Sequence, residues 1–295
     1  SQADAACYAA KDSGRNRIHI YQSGDRERTE RRDQRQWIAR IHRAVAENRL
    51  CLYAQPIVPV ALRAQTATPT HYEILLRFVD EDGQIVLPMA FIPAAERYSL
   101  MPELDRWVLR AFLANFRAFC DVKASASETA PLCDRALSAV NLSGSSLNDE
   151  QFLDFVKAQL REHSTAPEFV CFEITETAAI ANLSQASRFI RDLKAMGCSF
   201  ALDDFGSGMS SFSYLKQLPV DYLKIDGNAI RNIDTDPLAR AVVESINQVG
   251  HVMGIQTIAE CVETEAALET LREIGVDFAQ GFAISEPASL QFERV

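Results

Sequence analysis

Long apolar runs are missing from this 295-residue sequence, and none approaches the roughly 18 residues that a membrane-spanning helix needs. The first residues, SQADAACYAAKDSGR, lack both the basic and the apolar region of a secretory signal peptide. Glycine (12) and proline (11) are too sparse for a collagen-like chain, and a hydrophobic content of 47% is too high for a disordered one. These features predict a soluble, cytoplasmic globular protein in which this part of the chain makes no membrane contact.

The sequence also has few histidines, no closely spaced pair of cysteines, and fewer positive than negative charges. The five histidines form no H-E-x-x-H, and the seven cysteines are scattered without a C-x-x-C, which indicates free thiols in a reducing compartment. A bound metal would therefore be held mainly by oxygen, which favours Mg²⁺ or Mn²⁺ over zinc. With 30 Lys and Arg against 40 Asp and Glu, the net charge of −10 argues against binding of duplex nucleic acid through a basic face.

Short apolar runs alternate with amphipathic helical stretches from about residue 36 onward, which is typical of repeated βα units. The helical stretches include residues 102–119, 149–162, 182–196 and 238–253. The eight strand candidates are CLYAQPIVPV, HYEILLRF, ALSAVNLS, FVCFEITE, SFALDDFG, DYLKIDG, IQTIAECV and FAQGFAIS. Eight strands over about 260 residues predict an α/β fold, a TIM-type (β/α)8 barrel. Upstream, DRERTERRDQR at 25–35 predicts a solvated linker helix.

Nearly every strand candidate carries a polar residue, which is costly in a buried strand unless it is paired or binds a metal. Most of these residues come late in their strand, at the carboxyl face where barrel enzymes place their chemistry. Acidic groups that converge there repel one another unless cations lie between them, so the pattern predicts a divalent-metal site. The residues are Gln55, Glu73, Asn141, Glu173, Asp203, Asp204, Lys224, Asp226, Glu260 and Gln280.

The adjacent Asp203 and Asp204 are candidates to direct oxygens toward two neighbouring ions, the arrangement that serves phosphoester hydrolysis. Taken alone, the pair has an equally good interpretation as a turn before a glycine-containing loop. Lys224 would be an unpaired cation in an ordinary core, but beside carboxylates and a phosphate it has a role. The segment FGSGMSSFSYLKQLP predicts a loop that leads into a short helix and covers the site, with Glu176 as an anchor.

These motifs together resemble the EAL family of cyclic di-GMP phosphodiesterases across about residues 36–290. The matching blocks are Y-E-I-L-L-R at 72–77, N-L-S at 141–143, F-E-I-T-E at 172–176, D-D-F-G-S-G at 203–208, L-K-I-D at 223–226, I-A-E-C-V-E at 258–263 and A-Q-G-F at 279–282. Residues 1–21 similarly resemble the end of a GGDEF domain. The resemblance implies a GGDEF remnant at 1–24, the linker helix at 25–35 and an EAL barrel at 36–295, and it allows one antiparallel barrel strand.

The resemblance implies that cyclic di-GMP is hydrolysed to linear pGpG by in-line attack of a water activated between two Mg²⁺ or Mn²⁺ ions. The first ion would be held by Glu73, Asn141, Glu173 and Asp203, and the second would be held or bordered by Asp203, Asp204 and Glu260. The catalytic candidates are Glu260, Lys224 and Asp204. Glu260 is the usual candidate for the general base, although a metal-bound hydroxide needs no separate base, and Lys224 would orient the water or stabilise the phosphate. Gln55, Arg77 and Gln280 would contact the substrate or its water, and Glu176, Glu263 and Asp226 would support the loop.

Three positions depart from the family pattern. Ile74 replaces the alanine of E-A-L, which predicts local repacking, while Ser207 and Met209 replace a common threonine and aromatic, which predicts altered loop closure.

Two other functions compete with hydrolysis. One alternative is a cyclic di-GMP receptor without catalysis, and the other is a metal-dependent barrel lyase with Lys224 as base. The resemblance also implies a homodimer and an upstream GGDEF domain as partners.

Overall fold

The computed structural model describes residues 37–61, 71–116, 137–163, 165–206 and 212–290. The predicted GGDEF remnant at 1–24 and linker helix at 25–35 lie outside these ranges, as do Ser207 and Met209. The described chain groups into two compact units. The smaller contains residues 37–50 and Arg77–Met101, and the larger contains Cys51–Leu76 and the chain from Pro102 onward.

One ten-stranded sheet runs in the order β10-β1-β9-β8-β7-β6-β5-β4-β2-β3, and an additional pairing between β1 and β2 closes it. The strands are β1 (Leu50–Pro59), β2 (His71–Val79), β3 (Ile85–Val86), β4 (Leu137–Leu142), β5 (Val170–Thr175), β6 (Ser199–Phe205), β7 (Tyr222–Ile225), β8 (Gln256–Ala259), β9 (Phe278–Ala279) and β10 (Ala288–Ser289). Closure leaves eight strands in the barrel, with β3 and β10 as short additions.

The barrel is mixed rather than wholly parallel. Each pairing from β2 through β4, β5, β6, β7 and β8 to β9 is parallel, whereas β1 pairs antiparallel with β9. Strand β1 therefore runs against the other seven. The predicted TIM-like (β/α)8 barrel is confirmed, together with the single antiparallel strand that the prediction allowed.

Helices follow most of the strands along the chain. Their bounds are α1 (37–46), α2 (Pro88–Arg97), α3 (Met101–Ala114), α4 (Gly144–Leu147), α5 (Glu150–Glu162), α6 (Glu176–Ala181), α7 (Leu183–Lys194), α8 (Gly227–Ile230), α9 (Pro237–Val252) and α10 (Glu265–Ile274), with 3₁₀ turns at Pro167–Phe169 and Phe212–Gln217. The first backbone amides of a helix have no hydrogen-bond acceptor within the helix, and side chains provide one. Asp236 accepts a hydrogen bond from the amide of Leu238, and Thr264 accepts one from the amide of Ala267.

The two-residue alternation of the strands sorts side chains between two layers. Val140, Phe172, Leu202 and Leu223 belong to the large apolar cluster that the helices cover. Their neighbours Ala139, Cys171 and Ala201, with Leu137, form a separate small cluster, against which Tyr222 packs. Continuing this second set by two residues along each strand gives Asn141, Glu173, Asp203 and Lys224. The strand period therefore brings the polar residues together on the inner face.

Aromatic rings fill the barrel beside the amino ends of three strands. The ring centroid of His71 lies 4.6 Å from that of Phe278 and 5.1 Å from that of Tyr222. Burial lowers the pKa of His71 to about 4, so this ring is neutral at physiological pH. The layer closes the interior below the polar residues without adding charge to it.

The smaller unit has an aromatic cluster of its own. Trp37 packs edge-on to Phe78 with 5.7 Å between ring centroids, and it contacts Phe91 at 6.1 Å. The guanidinium of Arg40 lies 3.9 Å above the Trp37 ring, in a cation–π contact. Within the described ranges, no helix of either unit combines the length and the apolar character needed to cross a bilayer.

Gly281 lies two residues beyond the last barrel strand and is expected to tolerate no side chain. Its φ is +155°, and a Cβ would lie 2.2 Å from the backbone N and O of Val262. Strand β9 ends at Ala279, before this glycine and well short of the predicted FAQGFAIS. We expect Gly281→Ala to lower the free energy of unfolding by more than about 3 kcal/mol, because backbone has to move. Urea denaturation measures the change.

Gly254→Ala is the matched control for this prediction. Gly254 also has a positive φ, +74°, but a Cβ there meets nothing within 4 Å. Its replacement is expected to cost only about 1 kcal/mol, the strain of a left-handed alanine. Equal losses of stability in the two variants would contradict a steric requirement at Gly281.

Candidate active site

Acidic side chains surround one ammonium group at the carboxyl ends of the barrel strands. Lys224 of β7 is 0% exposed. Its Nζ lies 2.6 Å from a carboxylate oxygen of Glu260 and 2.7 Å from one of Glu173. The corresponding distances to Asp203 and Glu73 are 3.3 and 3.4 Å. A buried cation that contacts four carboxylates is thus the centre of the cluster.

Two glutamines and one asparagine fix the orientation of Glu73. Asn141 donates through Nδ2 to Glu73 Oε1, and Gln280 donates through Nε2 to Glu73 Oε2, both at 2.7 Å. Gln280 Nε2 also donates to Gln55 Oε1 at 3.0 Å, and Gln55 Nε2 donates to the carbonyl of Ser285. Both oxygens of Glu73 therefore have hydrogen-bond donors, which holds the carboxylate in one orientation inside the barrel.

Asp203 and Asp204 direct their side chains to the same place although they are adjacent. Asp204 has φ +57°, a left-handed conformation, and the pairing of β6 with β7 shifts between Leu202 and Phe205. This irregularity breaks the alternation that would send neighbouring side chains to opposite faces. One oxygen each of Asp203, Asp204 and Glu260 lie within 4.8 Å of one another, close enough for all three to bind one ion.

Burial and mutual repulsion shift the protonation of the cluster. Burial alone would lower the pKa of Lys224, but the four carboxylates raise it well above its usual value, so the ammonium stays charged. Burial raises the pKa of Glu173 well above its usual range and, despite Lys224, that of Glu260 to about 8. Burial and the neighbouring Asp203 raise the pKa of Asp204. For Glu73, burial is outweighed by Lys224 and the amide donors, and the pKa is lowered.

The residues fit a divalent ion bound through oxygen. Glu173 Oε1 and Gln280 Oε1 are buried and have no hydrogen-bond partner among the described residues. Such oxygens are costly in a protein interior unless a donor or a cation meets them. Five carboxyl groups and two amides supply hard oxygen donors, and Lys224 is a single positive charge among four of these carboxylates. Oxygen donors of this kind suit Mg²⁺ or Mn²⁺.

The remaining predicted site residues lie in several surroundings. Glu176 begins α6, is buried, and accepts a hydrogen bond from the hydroxyl of Tyr214 in the 3₁₀ turn that follows residue 211. Asp226 is the N-cap of α8 and accepts from the amide of Asn228 at 2.7 Å. Glu263 is exposed. Arg77 is buried on β2, in the part of that strand that belongs to the smaller unit.

Asp105 is a buried carboxylate that is not among the predicted site residues. It lies on α3 and accepts hydrogen bonds from Ser143 and Ser146, next to the end of β4. The sequence contains a signal for it, because Asp105 lies with Leu104 and Val108 on the apolar face of a predicted helix. An acid at a core position of a helix requires a buried partner. The sequence does not show which partner that is.

A family model described as EAL domain matches residues 38–287. The chain belongs to the EAL family. It is 42% identical over 288 residues to cyclic di-GMP phosphodiesterase PdeB of Shewanella oneidensis and 33% identical over 251 residues to cyclic di-GMP phosphodiesterase PdeF of Escherichia coli. These alignments cover 98% and 85% of this chain but 32% of each relative, so the chain spans about a third of the length of these curated relatives.

Solved EAL structures share the fold of this EAL domain. The PaMucR phosphodiesterase in complex with c-di-GMP matches with a TM-score of 0.77 and 30% identity, covering 86% of this chain and 97% of the other. The FimX EAL domain of Pseudomonas aeruginosa bound to c-di-GMP matches with a TM-score of 0.73 and 26% identity, over 85% and 96% of the two chains. The family expected from the sequence motifs is therefore confirmed.

Proposed function

We propose that this EAL domain is a phosphodiesterase that hydrolyses cyclic di-GMP to linear pGpG with the help of divalent ions. The observation that carries the proposal is the convergence of five carboxyl groups on the inner face of the barrel around Lys224. Relatives with 42% and 33% identity are named cyclic di-GMP phosphodiesterases, which supports the same substrate here. At every motif position where the EAL family has an oxygen-bearing metal ligand, this chain also has an oxygen-bearing side chain.

The ions would be held by the oxygens of two groups of side chains. Glu73, Asn141, Glu173 and Asp203 would hold one Mg²⁺ or Mn²⁺, and Asp203, Asp204 and Glu260 would hold or border a second. Bound divalent ions supply positive charge that activates the attacking water and neutralises the phosphodiester. They would also explain how a chain with a net charge of −10 binds an anionic dinucleotide, since local cations outweigh the distant acidic surface.

The protein's own groups have separate roles in this proposal. Lys224 keeps its charge and stabilises the negative charge that develops on the phosphate, with Asp204 as a neighbouring acidic group. Glu260 would take the proton of the attacking water through a carboxylate oxygen, which lies beside Asp203 and Asp204 in the three-carboxylate group. Gln55, Gln280 and Arg77 contact the substrate or its water, and Glu176, Glu263 and Asp226 support the loop that follows β6.

The proposal extends to the surroundings of the domain. We propose that residues 1–24 are a GGDEF remnant, residues 25–35 a linker helix and residues 36–295 the EAL barrel, in a cytoplasmic protein that pairs as a homodimer. The resemblance of residues 1–21 to the end of a GGDEF domain supports the first part. Light scattering over a range of concentrations tests the dimer, and a monomer at every concentration would contradict it.

Chelation of divalent ions is expected to stop the reaction. The purified chain should convert cyclic di-GMP to pGpG with Mg²⁺ or Mn²⁺, and EDTA should reduce the rate to background, because the carboxylates then lack their counter-charges. Chromatography of the nucleotides measures both rates, and readdition of Mn²⁺ after EDTA serves as the control. A turnover unchanged by EDTA would contradict the proposal. Calorimetric binding of cyclic di-GMP with no product over hours in Mn²⁺ would favour the receptor alternative.

A further inference from the structure

Asp105 forms a hydrogen-bonded cluster with Ser143 and Ser146, and none of these three residues has a part in the proposed reaction. Its Oδ2 accepts three hydrogen bonds: from the backbone amide of Ser143 at 2.9 Å, from Ser143 Oγ at 2.6 Å and from Ser146 Oγ at 2.7 Å. Asp105 is 5% exposed and Ser146 is 0% exposed. Burial raises the pKa of Asp105, and the hydrogen bonds from the two serines oppose this shift. The protein therefore keeps a costly acidic group at this point.

The cluster lies directly after the strand residue that orients Glu73. Ser143 follows the last residue of β4 and is two residues beyond Asn141. The pairing of β4 with β2 ends at Ile74 and Val140, so Asn141 lies past the last pair on that side. On the other side Asn141 pairs with Glu173. The contact of Asp105 with Ser143 adds a second restraint at the end of β4, beside the pairing with β5 that continues to Leu142 and Ile174.

Helix capping alone does not require this carboxylate. Ser143 is the N-cap of α4, and its own Oγ accepts from the amide of Ser146 at 3.2 Å. Helix α9 begins with Asp236, whose side chain accepts from the amide of Leu238 and which is exposed. A four-residue helix that already has a serine cap gains little from a second, buried acceptor. What the second acceptor adds is a fixed position for the Ser143 backbone.

We infer that Asp105 is a positioning residue for the site: by holding Ser143 it fixes the end of β4, and thereby the Asn141 side chain against Glu73. The inference rests on the proposed function, because it assigns to Asn141 a place among the metal ligands. Groups that orient metal ligands from the next layer typically change metal affinity or activity by about 10- to 100-fold when they are replaced. Asp105 is expected to act at the lower end of this range, through Asn141.

A double-mutant cycle in Mn²⁺ affinity tests this inference, with calorimetric titration of the complete 295-residue chain in the absence of nucleotide. Asp105→Asn is expected to weaken Mn²⁺ binding by about 10-fold, because the charge that holds the Ser143 amide and hydroxyl is lost. Asn141→Ala is expected to weaken binding at least as much. Starting from Asn141→Ala, the added Asp105→Asn should change the affinity by less than about 3-fold, since both act through one ligand.

Two further variants keep the result decisive. Ser146→Ala removes one of the three hydrogen bonds to Asp105 and leaves the two from Ser143. It should weaken Mn²⁺ binding several-fold in a chain that keeps Asn141, and should have no such effect in Asn141→Ala. This variant takes the place of Asp105→Asn if Asp105→Asn does not fold. Asp277→Asn is the matched control, because Asp277 Oδ2 accepts from the amide of Thr257 at 2.8 Å and from its Oγ1 at 3.2 Å. This control should lower the midpoint of thermal unfolding and leave Mn²⁺ affinity within about 2-fold, since Thr257 lies near the amino end of β8.

The outcomes separate the inference from the proposed function. Additive effects of Asp105→Asn and Asn141→Ala, or an Asp105→Asn variant that loses stability with unchanged Mn²⁺ affinity, would overturn the inference alone. An equal loss of affinity in Asp277→Asn would overturn it too, because the effect would then follow from general destabilisation. A wild-type chain that binds no Mn²⁺ would refute the proposed function, and the inference with it.

Discussion

Asp203→Asn is expected to lower the rate of cyclic di-GMP hydrolysis by at least about 10³-fold, below the level that any other single ligand replacement leaves. Asp203 contacts Lys224 at 3.3 Å and shares the three-carboxylate group with Asp204 and Glu260. In the proposed site it is the residue whose oxygens belong to both ion positions. The amide keeps the shape of the side chain but removes its charge and replaces one of its two oxygens by an NH2 group. A single neutral oxygen then remains where the proposal needs a charged carboxylate to serve both ions.

The reaction rate at saturating Mn²⁺ and the Mn²⁺ affinity together measure this effect. Asp221→Asn is the matched control, because Asp221 precedes β7 at the amino end of the strand and accepts from the amide of Phe200 at 2.9 Å. That variant should lose stability and keep its turnover. An Asp203→Asn variant with more than a tenth of the wild-type rate would exclude Asp203 as a shared ligand.

Lys224→Met is expected to have the second-largest effect, and the effect on stability should depend on metal. Removing the ammonium leaves Glu73, Glu173, Asp203 and Glu260 facing one another in the barrel interior. Breaking a buried ion pair on one side typically costs about 3–5 kcal/mol, so the variant should be destabilised by this order in EDTA. Mn²⁺ should restore part of the loss because it supplies the missing positive charge. Turnover should fall by at least about 10²-fold even at saturating Mn²⁺.

Urea denaturation with EDTA and with Mn²⁺ measures the metal-dependent part. Lys194→Met is the matched control: Lys194 pairs with Asp221 at 2.5 Å, but its side chain is 29% exposed. Its replacement should cost less than about 1 kcal/mol, with or without metal. If Lys224→Met is as stable as the wild type in EDTA, the carboxylates do not depend on the ammonium for their charge balance, and the electrostatic account of the site is wrong.

The strand-end pattern made much of the site predictable. In β4, β5, β6 and β7, side chains alternate between two faces, and an acid or amide stands two residues beyond a small residue in three of them, as in Ala139–Asn141 and Ala201–Asp203. Such a pattern depends only on the two-residue period of an extended chain, which is local. The same reasoning failed for the last strand, where FAQGFAIS was predicted and two residues form β9, because the length of a strand depends on how far its neighbour pairs with it, and the pairing with β8 ends at Ala259 and Ala279.

The amino-acid sequence by itself determined the barrel class, the family and the oxygen character of the site, because strand period, helix period and residue chemistry are properties of short segments. Only the tertiary structure decided that Lys224 contacts four carboxylates, that a left-handed Asp204 joins Asp203 and Glu260, and that Asp105 accepts a hydrogen bond from Ser143 directly after β4. These contacts join residues up to 151 positions apart, as Lys224 and Glu73 are. Their distances depend on strand register and barrel closure, which no short segment specifies.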